Sequence, residues 1–85
     1  MKVRWTQHAE QRQKDWQTAI GISRSQVEDV ARNPEQVVTG HGGLSVAQFR
    51  IQDGLLRVVF FDIEDNRIIV TVYWTSQTRK YWEAE

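Results

Sequence analysis

The chain has 85 residues, 40% of them hydrophobic and 26% charged, which is the size of one domain (1–85) around one core and leaves no room for a second. Eleven Lys and Arg stand against eleven Asp and Glu, so the strongly basic balance of a general nucleic-acid binder is excluded. Cysteine is absent and no apolar run approaches 18 residues, which excludes disulfides, thiolate chemistry and a membrane-spanning helix; with no apolar leader over residues 1–8, the expected compartment is the cytoplasm.

Val3, Arg4 and Trp5 permit a first strand, since β-branched and aromatic residues suit a pleated surface. Thr6 is an N-cap candidate, and residues 7–19 are good helix formers with neither Gly nor Pro. Ala9, Trp16 and Ile20 share a thin apolar stripe on that helix, and Gly21 stops it. Ser23 and Gln26 have the spacing of a capping box, and Ile22 and Val27 that of a hydrophobic staple. Val27, Val30 and Ala31 then face inward from a short second helix, closed by Asn33-Pro34. The two helices are joined by about three residues, which predicts an αα-hairpin.

Residues 35–39 form a short strand or an extended connector. Gly40-His41-Gly42-Gly43 is a loop. A flexible connector is its default reading, against a metal- or phosphate-holding loop, because two histidines without spaced acidic partners match no zinc pattern. Residues 45–52 alternate from Ala47 onward, Asp53-Gly54 predicts a two-residue hairpin turn, and residues 55–63 are apolar on both faces, as in a central strand. After a turn over residues 64–67 comes another strand, 68–74, and residues 78–83 add a short terminal helix. Neither a metal nor a cofactor is expected.

A turn at Asp53-Gly54 sets Arg50 directly across from Arg57. Alternation collects Ala47, Phe49, Ile51, Leu56, Val58 and Phe60 on a face for the helices and leaves Gln48, Arg50, Gln52 and Arg57 on the open one. Two guanidinium groups across a ladder repel by about 0.2–1 kcal/mol. They are either splayed apart on a solvated face, neutralised by a carboxylate, or an anion site in which two forks hold a phosphate. A three-residue second loop then sets Arg57 opposite Tyr73 with Thr71 beside it, turns Val70, Val72 and Trp74 inward, and leaves Phe61 and Ile69 partly exposed.

His8-Ala9-Glu10-Gln11-Arg12, Gly21-Ile22-Ser23, Val30 with Asn33-Pro34, Arg57-Val58-Val59 and Ile69-Val70-Thr71-Val72-Tyr73 follow one another in an order that resembles the RelE/ParE-type toxins. The wider group includes barnase-like and EndoU-like nucleases. More narrowly, the chain is similar to a small bacterial domain family of unknown function that adjoins those toxins. The resemblance implies an α+β fold of order β-α-α-β-β-β(-β), with two N-terminal helices packed on an antiparallel meander and a short C-terminal helix. It also implies a metal-independent ribonuclease that cleaves RNA by attack of the 2′-hydroxyl. Carried over by position, His8 is the acid or base, Arg57 holds the transition-state charge, and Tyr73 stacks a base or donates a proton. Arg12, Arg50 and Thr71 would bind substrate. The implied partners are RNA or the ribosome and an antitoxin-like protein.

Each residue also has a plain structural reading. His8 packs or caps, Arg12 pairs with Asp15, and Arg57 pairs with Asp62, Glu10 or Asp15. Trp74, Tyr81 and Trp82 belong to a tail docked on the sheet, or else to a dimer or antitoxin interface. The flat charge balance departs from the basic character of ribosome-dependent toxins. It keeps open a non-catalytic module that binds a protein partner or a second copy of itself.

Overall fold

The computed structural model describes residues 1–84; Glu85, the last residue of the expected domain, lies outside the described residues. The elements are β1 (Lys2–Trp5), α1 (Gln7–Ile20), α2 (Arg24–Arg32), β2 (Gln36–Thr39), β3 (Ser45–Ile51), β4 (Gly54–Ile63), β5 (Asn66–Thr75) and α3 (Thr78–Tyr81). The fold is α+β. The five strands form one sheet in the order β1-β5-β4-β3-β2. β2 to β5 run as the expected antiparallel meander, and β1 adds to its edge parallel to β5, which makes the sheet mixed.

The helix boundaries follow from local chemistry. Thr6 caps α1 by accepting from the Ala9 N–H at 3.1 Å, and Gly21 closes it at φ 76°, a left-handed position that suits glycine. The capping box of α2 is complete: the Ser23 hydroxyl accepts from the Gln26 N–H at 3.0 Å, and the Gln26 side chain accepts from the Ser23 N–H at 2.8 Å. Gln13 lies on the buried stripe of α1 between Ala9 and Trp16. Its amide donates to the Ile22 carbonyl at 3.0 Å and so pins the corner between the helices.

Both helices cover one face of the sheet. Beneath them Ala9, Ile22, Val27, Val30 and Ala31 meet Ala47, Leu56, Val58, Phe60, Ile69 and Val72 in one core. Arg67 ties α2 to the sheet by donating to the Ala31 carbonyl at 2.7 Å, while its fork grips Asp62 at 2.8 and 2.9 Å.

The first hairpin corrects the expected register. Its two-residue turn is Gln52-Asp53, both at positive φ (51° and 59°), and Ile51 pairs with Gly54. Both central residues at positive φ give the primed turn whose twist matches the flanking strands. Gly54 instead lies in the strand, where a Cβ would meet the Trp74 ring at 2.6 Å. Arg50 therefore faces Leu55, and Arg57 faces Gln48 rather than Arg50. The sum of paired residue numbers changes by two, so every side chain keeps its face while its partner changes.

The second hairpin reaches the expected partner by a different route. Its loop is two residues, Glu64-Asp65, since Ile63 pairs with Asn66; a bulge at Val70 then supplies the extra residue, and Arg57 does face Tyr73. The bulge also turns Ile69 inward. It is fully buried, against the expectation of partial exposure, whereas Phe61 is 39% exposed as expected. Thr6 uses the bulge to seat α1: its hydroxyl lies 2.9 Å from the Ile69 carbonyl and 3.1 Å from that of Val70.

Candidate functional site

β4 carries Leu55, Arg57, Val59 and Phe61 toward the sheet face that the helices leave uncovered. Arg57 is 9% exposed, an unusual position for a cation unless it is partnered. Among the described residues no carboxylate pairs with it. The three acids considered as partners are engaged elsewhere: Asp62 with Arg67, Glu10 with Arg24 and Asp15 with Arg12. The partners of Arg57 are neutral. Its Nε donates to Oε1 of Gln48 at 2.7 Å, one Nη donates to the Tyr73 hydroxyl, and the Tyr81 ring lies 4.1 Å from its guanidinium carbon. Gln48 is itself fully buried. Its other amide atom donates to Gln36 and to the Tyr81 carbonyl at 2.9 and 3.2 Å.

A guanidinium has five N–H donors, and two are used here. Among the described residues no buried side-chain N or O lacks a partner, so the second Nη of Arg57, which has none, is not sealed from solvent. The opening is a cavity of about 490 Å³ lined by Arg57, Tyr73, Thr71, His41, Tyr81 and the apolar side chains around them. Its lining is mostly apolar with a few polar side chains among it, the usual make-up of a ligand site. Because Arg57 donates to the Tyr73 oxygen, the hydroxyl hydrogen of Tyr73 is left to point elsewhere.

The loop between β2 and β3 brings His41 to the cavity. The Gly40 N–H donates to the Leu44 carbonyl at 2.8 Å, and the Leu44 N–H to the His41 carbonyl at 3.1 Å. Gly42 and Gly43 sit at φ 62° and 78°, where a side chain would be strained. The residues that read as a flexible connector thus form a closed turn with its histidine at the rim.

The remaining predicted residues lie elsewhere. His8 is on the exposed side of α1 with Gln7, Glu10, Gln11 and Lys14, on the layer opposite the Arg57 cavity, so the structure does not bring the two together. Arg12 sits on the same exposed helix, 3.5 Å from Asp15. Arg50 shares the open face with Arg57, but Glu35 holds it at 3.0 Å and the Trp82 ring lies 4.8 Å from it. The hydrogen bond from Arg50 draws the Glu35 carboxyl below its ordinary range. Arg57, Tyr73 and Thr71 are therefore brought together, and His8, Arg12 and Arg50 are not. Sequence reasoning missed Gln48, Tyr81 and His41 as members of the site. A Gly-His-Gly-Gly turn leading into a strand that pairs with the arginine-bearing strand was the available signal for His41.

Among the described residues no cluster of His, Asp and Glu has the makings of a metal site. No helix is long and apolar enough to cross a membrane. Neither a curated protein nor a solved structure matches the chain. A family model described as Domain of unknown function (DUF4258) matches residues 5–74. That stretch runs from Trp5, the last residue of β1, through α1, α2 and the sheet up to Trp74, and with it Arg57, Gln48, Tyr73, Thr71 and His41; the chain belongs to the DUF4258 family.

Proposed function

We propose that this chain is a RelE/ParE-like domain that binds single-stranded RNA at the Arg57 cavity and cleaves it without a metal. The observation that carries the reading is a nearly buried guanidinium that lines a cavity, whose partners are all neutral and whose second Nη has none. Such a group is a preformed receptor for an anionic oxygen, and Arg suits phosphate through its planar fork. In the reaction the 2′-oxygen attacks the neighbouring phosphorus and gives up its proton to a base. The bond from phosphorus to the 5′-oxygen breaks, and an acid protonates the leaving oxygen. Products are a 2′,3′-cyclic phosphate and a 5′-hydroxyl. The acid–base role read for His8 passes to His41, because His41 lines the cavity with Arg57. Tyr73 has its hydroxyl hydrogen available for the leaving oxygen, Arg57 offsets part of the negative charge of the phosphorane, and Thr71 adds a polar contact.

The test is incubation of the purified chain with single-stranded RNA, alone and with ribosomes, scored for 2′,3′-cyclic phosphate ends. His41→Ala and Tyr73→Phe should each slow cleavage by about 10²–10⁴-fold, and Arg57→Lys, which keeps the charge but loses the fork, by a similar factor. Absence of cleavage, or equal rates in all four proteins, overturns the reading.

A second reading, in which the same fold engages a protein partner without catalysis, is favoured by the zero net charge. Phe61 and Ile63, 39% and 54% exposed, would form its contact surface on the open face. Saturable RNA binding lost in Arg57→Ala speaks against this reading.

A further inference from the structure

The chain beyond Thr75 lies outside the stretch matched by the family model, yet its Tyr81 lines the cavity. From Thr75 the chain turns back over the open face. Tyr81 places its ring 4.1 Å over the Arg57 guanidinium and meets Tyr73 edge-on at 6.4 Å. Its carbonyl accepts from Gln48 at 3.2 Å. Two residues on, the Glu83 N–H donates to Gln36 Oε1 at 3.0 Å, and the Glu83 carbonyl accepts from the Gln36 amide at 2.6 Å. Trp82 lies over Arg50. An aromatic plane on a guanidinium, flanked by a carbonyl held by an amide, is the arrangement in which a nucleobase would stack on the same cation.

We propose that residues 78–83 are a tethered occupant of the Arg57 site, which lifts when a single strand of RNA stacks there. The inference rests on the reading of the cavity as an RNA site. The clasp suits release: it consists of neutral hydrogen bonds and two stacked rings, with no ion pair among the described residues and no fully buried side chain in the segment. If the docked form holds about nine-tenths of the molecules, the apparent affinity for RNA is about tenfold below that of the open form.

The test uses the full-length chain, a Tyr81→Ala/Trp82→Ala variant and a Gln36→Ala variant. Gln36→Ala keeps both rings and removes the clasp at Glu83; it also takes one acceptor from the Gln48 amide, which keeps the Tyr81 carbonyl as its other. Binding of a fluorophore-labelled ten-nucleotide single-stranded RNA is read by anisotropy. Separately, without RNA, the rate at which phenylglyoxal modifies Arg57 is read by mass spectrometry. The double variant should bind about tenfold tighter and Gln36→Ala several-fold tighter, with Arg57 modified faster in both. Unchanged affinity and an unchanged modification rate in Gln36→Ala overturn the proposal while leaving RNA binding at Arg57 standing. Faster modification in both variants, with no RNA bound by any chain, sustains the tethered cover and overturns the RNA reading instead.

Discussion

Arg57 owes its place to Gln48. A cation on a central strand with no carboxylate beside it is tolerable only if its donors meet oxygen or water. The Gln48 amide oxygen supplies one such acceptor from within the buried layer. Removing that oxygen leaves Nε unpaired, at a cost of about 1–3 kcal/mol. Gln48→Ala should therefore lower the urea midpoint markedly, whereas Gln11→Ala, an exposed helix position, should change it little; equal midpoints for the two variants would contradict the role given to Gln48. This scale was half legible in the sequence. An arginine inside Leu55-Leu56-Arg57-Val58-Val59 stands out because the strand around it is apolar. Gln48 does not, because its importance depends on the residue opposite, and the assumed turn paired it with Val59.

The elements show why that pairing slipped while the faces held. Asp-Gly is a strong hairpin turn by local preference, but Gly54 is needed where Trp74 packs against the strand, and Gln52 and Asp53 accept the strained turn positions instead. Tertiary packing overrode the local signal, and the two-residue change in register left the apolar alternation intact. Gly54→Ala should accordingly destabilise the fold by about 1–3 kcal/mol or more through overpacking against the Thr75 carbonyl and the Trp74 ring. Asp53→Gly should raise the midpoint slightly or leave it unchanged, because glycine takes the positive φ without steric cost while losing more chain entropy on folding. Thermal midpoints decide: if Gly54→Ala is neutral, the turn is not where the structure has it. The bulge at Val70 had no sequence signal, since no Gly marks it; the Thr6 hydroxyl and the buried Ile69 on either side of it show what it is for. Helix caps, by contrast, were readable because they are settled within four residues. The short α3 has no such settlement. Its three clasping hydrogen bonds contribute about 1 kcal/mol each, against an ordering cost of about 1–2 kcal/mol per residue, so its docking leans on half-burying Tyr81 and Trp82.

At the level of the whole molecule, the helices close one face of the sheet and leave the other to a cation, a cavity and the tail. The zero net charge argues that anion recognition is local to Arg57 rather than spread over a basic surface. Two ion pairs fasten opposite ends of the sheet. Arg50 holds the Glu35 carboxyl below its ordinary 4.5, and Arg67 holds that of Asp62 below 3.8, each chiefly by hydrogen bonding. Carboxyls lowered on folding stabilise the native state above their unfolded values and lose that effect as pH falls through the folded ones. The melting temperature should thus be flat above about pH 5 and decline below about pH 4, and Asp62→Asn should make the acid decline shallower. A melting temperature that rises on acidification contradicts the assignment of these pairs. That the chain is α+β was legible from its pattern of two capped helices and alternating strands. The composition of the cavity was not, because His41, Arg57 and Tyr81 come from three segments that only the register and the tail bring together.

The most direct measurement is side-chain NMR of the arginine Nε–H groups during titration with a short single-stranded RNA. A saturable shift at Arg57, with Arg67 unmoved beside its carboxylate and Arg50 moving only as the Trp82 ring leaves it, is the predicted result. An Arg57 signal that stays in place while RNA is bound, or shifts spread evenly over the eight arginines, would contradict it.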